Sequence, residues 1–127
     1  MRCHILDVPS GPERAAIVAL IIDRQPEEAL KRLSLYYKVA PPKLRIGRVK
    51  RHSNSLAVYQ SRNKTIYVSS QDYLYTPQIL LHEFYHHLRS IDGGHRGNEK
   101  YADKFAQSFL VSYGSLVSHY GSILPNV

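Results

Sequence analysis

The sequence predicts an α+β fold in which a small antiparallel sheet packs on helices, and three of its features lead there. Helix-like stretches occupy both ends of the chain. Between them, from Lys43 to Ser69, lie short β-like segments separated by Asn and Ser. A chain of 127 residues with 43% hydrophobic content can build one core but not two ordinary ones, so residues 1–127 are expected to form a single domain.

The first helix is expected to open at Ser10, Gly11 and Pro12 and to end before Pro26. It carries the longest apolar run, residues 15–22, which is far too short to span a bilayer. Asp23, Arg24, Gln25 and Pro26 follow the run without a small-residue cleavage site, so a buried first helix is expected here in preference to a secretory leader. A second helix should run from Pro26 or Glu27 to about Tyr37, with Glu27 and Glu28 in its first turn and Lys31 and Arg32 later, as the helix dipole favours. Ala40, Pro41 and Pro42 close it. Three strands are then expected, over residues 44–49, 56–60 and 64–69, with Ser61, Arg62 and Asn63 turning the last two into a hairpin. The single cysteine, Cys3, excludes an intrachain disulfide and fits a reducing compartment, so a cytoplasmic protein with no membrane association is expected.

The chemistry is concentrated after the strands. Residues 79–91 contain His82, Glu83 and His86 in the spacing HExxH, within a helix that Thr76 and Pro77 should start and Gly93 and Gly94 should stop. At about 100° per residue, Leu80, Phe84, Leu88 and Ile91 form one apolar stripe, and His82 and His86 fall on roughly the opposite side. Two imidazoles four residues apart can each give a nitrogen to one Zn²⁺. Glu83, beside the metal, stands where a general base for metal-activated water is needed.

A short turn-rich loop then leads into a helix from Asn98 to about Tyr113, antiparallel to the first. Glu99, Ala102, Asp103, Ala106, Leu110 and Tyr113 share one face of it, flanked by an apolar stripe of Tyr101, Phe105 and Phe109. The small alanines allow a close approach, through which Glu99 can bring a carboxylate to the metal and Asp103 can accept a hydrogen bond from the outer nitrogen of a ligating histidine. Three protein ligands with an open fourth position is the arrangement of a catalytic zinc. His87 and His95 are the alternative third ligands. The metzincin pattern fails, because it requires glycine at Arg89 and histidine at Asp92.

Over residues 76–113 this pattern resembles the gluzincin metallopeptidases, most closely the small soluble minigluzincins, with ImmA/IrrE-type peptidase domains as cousins. The motif residues are His82 to His86, followed thirteen residues after His86 by Glu99 in the run Asn98, Glu99, Lys100, Tyr101, Ala102 and Asp103. The resemblance implies an HExxH zinc helix paired with an antiparallel glutamate helix, one Zn²⁺ held by His82, His86 and Glu99, and peptide hydrolysis with Glu83 as base. It also implies that an edge strand formed by Leu56, Ala57, Val58, Tyr59 and Gln60 pairs with an extended peptide substrate. A histidine or tyrosine donor to the oxyanion is implied as well, for which Tyr113, His119 and Tyr120 are the candidates. After Tyr113 the chain is expected to pass Gly114 into a short helix or turn over residues 115–120, and this tail is one device that could hold the enzyme latent.

Lysine and arginine number 17 against 10 acids, and Lys43, Arg45, Arg48, Lys50 and Arg51 cluster in the β region. Such a cluster suits an accessory nucleic-acid contact or the solvated edge of a strand. A basic, zinc-stabilised binding or regulatory protein without turnover is therefore the alternative reading. Its zinc site would be closed by a fourth protein ligand, such as Cys3, His87 or His95.

Overall fold

Ser10 starts the first helix as its chemistry predicts. In the computed structural model, which describes residues 7–49, 54–93 and 98–123, its hydroxyl accepts the Glu13 N–H at 3.3 Å and α1 runs Gly11–Ile22. Pro26 occupies the first position of α2, Pro26–Tyr37, where its missing N–H costs nothing. Helix α2 ends on Lys38 in the left-handed conformation, and the Val39 N–H returns to the Ser34 carbonyl at 3.0 Å. Arg32 grips Glu13 with two nitrogens, at 2.6 and 2.9 Å, and ties α2 to α1.

Strands β1 (Lys43–Ile46), β2 (Ala57–Gln60) and β3 (Thr65–Val68) form one sheet in the order β1-β3-β2. The expected antiparallel sheet is corrected here to a mixed one: β2 and β3 are an antiparallel hairpin, but β1 runs parallel to β3. Burial gives the reason. β3 carries Ile66 and Val68, both fully buried, and the most apolar strand takes the centre, which leaves β1 and β2 on its two sides. The turn of the hairpin needs Lys64 as well, at φ 53°.

A 3₁₀ turn over Gln71–Tyr75 leads to α3, Pro77–Gly93. Thr76 sits at the boundary, but its hydroxyl donates to the Asp72 carbonyl at 3.1 Å and so closes the preceding turn. Asn98 does cap: its side-chain oxygen accepts the Lys100 N–H at 2.6 Å and starts α4, Glu99–Ile123. The expected break at Gly114 is absent, and α4 is one helix of 25 residues. A lone exposed glycine costs a helix only about 1 kcal/mol, less than the packing of the same helix at Phe105 and Phe109 supplies. Among the described residues no helix is long and apolar enough to cross a membrane.

The core gathers Ile17, Val18 and Ile21 of α1, Leu30 and Leu33 of α2, Ile66 and Val68 of β3, Leu80, Leu81 and Phe84 of α3, and Phe105 and Phe109 of α4. Ile91, expected on the apolar stripe of α3, is exposed because the helix by then has outrun the core. Tyr37 stands where three helices meet, its ring 6.2 Å from Phe84 and 6.5 Å from Phe105, and its hydroxyl donates to the Asp7 carbonyl.

Burial, followed by the nearby Tyr36 and Asp7, pushes the Tyr37 phenol above its usual range. The unfolded chain therefore loses this proton at a lower pH than the folded one. Stability from this group is complete below pH ~10 and declines as pH rises beyond it. Urea unfolding between pH 8 and 11 should show that decline, and Tyr37→Phe should flatten it; an unchanged slope would assign the alkaline loss to other groups.

Candidate metal centre

The rotation of α3 about its axis is set by Leu80, Leu81, Phe84 and Leu88, all buried in the core. His82 and His86 are thereby turned out of the core on one face, with ring centroids 5.1 Å apart and only about one-sixth of each side chain exposed. Ala102 and Ala106 of α4 are fully buried, and Phe105 packs 5.8 Å from the Tyr85 ring of α3. This tight contact brings the first turn of α4 against the histidines. Glu99 Oε1 lies 2.7 Å from His82 Nε2, and Glu99 Oε2 lies 3.1 Å from His86 Nε2. Asp103, one turn later, meets His82 Nδ1 at 2.8 Å.

The donor chemistry suits a cation. A carboxylate that accepts at Nδ1 requires a proton there, which leaves Nε2 of a neutral His82 as a lone pair directed at another carboxylate. That lone pair and the Glu99 carboxylate cannot face each other at 2.7 Å without positive charge between them. A proton can supply it in part: burial opposes charge on His82, but Glu83, Asp103 and Glu99 outweigh burial and raise its pKa, whereas burial lowers that of His86. A metal ion satisfies all three groups at once. His82, His86 and Glu99 each offer a ligand atom, and these atoms lie within 4.8 Å of one another.

Glu83 is on the same helix but turned inwards, 9% exposed. Burial raises its pKa to about 7, the negative Glu99 adds to the rise, and His82 together with the backbone N–H of Tyr59 opposes it. That N–H comes from β2. Because Ser69 donates to the Leu56 carbonyl, Val58 and Gln60 share ladder bonds with β3. The N–H and C=O groups of Ala57 and Tyr59 consequently point outwards, along the sheet edge that meets α3. The strand expected to carry substrate is thus an edge strand, and one of its outward donors is engaged by Glu83.

Sequence reasoning passed over a second link between these elements. His87 is fully buried, with Nε2 2.9 Å from the Ala40 carbonyl and Nδ1 2.9 Å from the Tyr59 hydroxyl. Burial lowers its pKa, so the neutral ring donates to Ala40 and accepts from Tyr59. Committed to both, it serves as neither third nor fourth metal ligand. The available signal was its spacing: His87 follows Leu80 by seven residues and Phe84 by three, which puts it on the apolar stripe. Tyr59 therefore holds β2 to α3 twice, by its hydroxyl at His87 and by its backbone at Glu83.

Of the remaining candidates, Tyr113 is half-buried against the core, fourteen residues from Glu99 on the same helix and so about 21 Å along its axis. The side chains of His119 and Tyr120 lie outside the described residues, as do Cys3, His95, Lys50 and Arg51. Lys43, Arg45 and Arg48 are exposed on and just after β1, at the sheet edge opposite β2. Comparison of the chain with protein-family models, with curated proteins and with solved structures finds no match.

Removing the Tyr59 hydroxyl leaves a buried imidazole nitrogen without its donor, so Tyr59→Phe should lower the unfolding free energy by about 1–3 kcal/mol. Denaturant titration measures this. A change below a few tenths would mean that Ser90, whose Oγ is 3.2 Å from the same hydroxyl, already suffices as partner.

Proposed function

We propose that the protein is a zinc-dependent peptidase of gluzincin type, and the observation that supports this reading best is the convergence of His82, His86 and Glu99 beside a buried Glu83. In this reading His82 and His86 each contribute Nε2 and Glu99 a carboxylate oxygen to one Zn²⁺. Asp103 fixes the tautomer and aim of His82, a role in which an outer carboxylate commonly strengthens metal binding. Such an ion, when bound by three protein ligands, supplies Lewis acidity that acidifies a water and polarises a carbonyl.

Glu83 moves the proton. A carboxyl whose pKa is raised to about 7 by burial is poised to take a proton from water and return it to a leaving amine near neutral pH. Burial also excludes bulk water from that exchange. The backbone N–H of Tyr59 favours the charged form of Glu83 and so counters part of the effect of burial. An extended peptide lying along β2 would meet the outward groups of Ala57 and the Tyr59 carbonyl, so its main chain would be aligned beside His82, Glu83 and His86. The exposed carboxylates of Glu99 and Asp103 leave the other side of the centre open to solvent and to a chain of any length.

Digestion of a complex peptide mixture, read by mass spectrometry at matched zinc content, tests the reading. Wild type should cut, and Glu83→Gln should bind zinc equally while losing at least about a hundredfold in rate. Glu99→Ala should bind zinc more than about tenfold more weakly in a chelator competition. Equal zinc binding by Glu99→Ala would refute the ligand set. Absence of cuts by a zinc-loaded wild type would favour the binding protein without turnover.

A further inference from the structure

The sheet has a second edge, far from the metal centre in connectivity and different in chemistry. β1 pairs with β3 on one side only. Since the N–H groups of Lys43 and Gly47 donate to the carbonyls of Lys64 and Val68, the odd-numbered residues of β1 face β3, and the main-chain groups of Leu44 and Ile46 project outwards. Among the described residues the Leu44 carbonyl meets only the guanidinium of its own neighbour Arg45, at 3.5 Å, and the Leu44 N–H and both groups of Ile46 have no protein partner.

Beside this edge, between α2 and β1, lies a cavity of about 540 Å³ walled by Leu30, Leu35, Val39, Pro42 and Leu44. Leu35 is 72% exposed there, and Ile46, next along the strand, is 54% exposed. Lys31, Lys43 and Arg45 surround the cavity against a single acid, Glu27.

We propose that this groove binds an acidic, extended peptide segment of a partner protein, which adds as a strand to β1, places one large aliphatic side chain in the cavity and sets its carboxylates against Lys31, Lys43 and Arg45. Each feature selects part of that description. Unpaired strand groups are satisfied by an extended main chain and not by a helix. The apolar walls reward a side chain of leucine size. The cationic rim selects acids and repels a second copy of this chain, whose net charge is +7. Phosphates of a nucleic acid would meet the cations, but the cavity walls present no aromatic ring for a base to stack on, and the strand groups would stay unpaired. The proposal does not depend on the metal centre and stands or falls separately from the peptidase reading.

Fluorescence anisotropy tests it with a labelled short peptide alternating Glu with Val and Leu, in the presence of a chelator. The full chain should bind this peptide and not its Glu-to-Lys counterpart. Combining Lys31→Glu with Lys43→Glu should weaken binding at least about tenfold. Methylating the peptide's alternate backbone nitrogens should also weaken it about tenfold on one alternation and not on the other, because only one set faces β1. Ile46→Pro removes an outward N–H without touching the β1–β3 ladder and should act in the same direction; the methylated peptides keep the test decisive if that variant misfolds. Equal binding of both methylated forms, no binding at all, or tighter binding of oligothymidine through the same lysines would overturn the proposal. So would binding that appears only after residues 1–6 are removed, which would make the chain's own segment the occupant, or a dimer that Ile46→Pro dissolves.

Discussion

The rotation of α3 is the constraint on which the other features rest. A helix with Leu80, Leu81, Phe84, His87 and Leu88 all buried has its orientation set by packing, since rotating it by one residue position would drive His86 into the core and turn a buried leucine to the face that His82 and His86 now occupy. Large-to-small changes at such a position cost about 3–5 kcal/mol, so the packing enforces the orientation strongly. The core thereby aims the chemistry: His82 and His86 face α4, Glu83 faces β2, and His87 faces the chain at Ala40.

The site is assembled from three elements by different forces. Between α3 and α4 the force is apolar: Ala102 and Ala106 carry no bulk, Tyr85 and Phe105 fill the space beside them, and Glu99 and Asp103 are carried along with the helix start. Asn98 contributes by fixing where that helix begins. Between α3 and β2 the force is polar, through the Tyr59 N–H on Glu83 and the Tyr59 hydroxyl on His87. Buried hydrogen bonds of this kind tolerate little displacement, because breaking one strands a group away from water. A strand so fixed is a firm wall for a cleft, which suits both the proposed peptide alignment and the need for a carboxyl kept partly out of water.

The two edges of the sheet face different surroundings. At β2 the outward groups face α3 and the carboxylates around it; at β1 they face solvent, an apolar cavity and a cationic rim. The central place of β3, with β1 on one side and β2 on the other, produces this separation. In a plain meander the strands β1 and β2 would be neighbours and β3 would hold one edge, which would bury one of the two surfaces and spend the most apolar strand on solvent. Charge at the β1 edge has a further consequence. Lys43 and Arg45 discourage pairing between copies while leaving an oppositely charged strand free to approach.

Local chemistry made much of this legible in the sequence. Ser10, Pro26, Pro77 and Asn98 mark helix starts through capping and fixed φ, and the period of Leu80, Phe84 and Leu88 orients α3. The spacing of His82 and His86 fixes their common face, and the position of Glu99 in the first turn of α4, with Asp103 one turn later, follows from Asn98. What these signals lack is any term for contacts between distant segments. Gly114 reads locally as a break, yet the packing of α4 carries the helix through it. Alternation identifies β1 as a strand but contains nothing about which neighbour it joins or in which direction. Tyr59 and His87 are 28 residues apart, and each alone is an ordinary tyrosine and histidine; their hydrogen bond exists only because β2 is an edge strand laid against α3. The sequence by itself determined the elements and the faces they present, since those depend on neighbours three or four residues away. Only the tertiary structure decided the strand order, the partner of His87 and the burial of Glu83, because these depend on which surfaces the single core brings together.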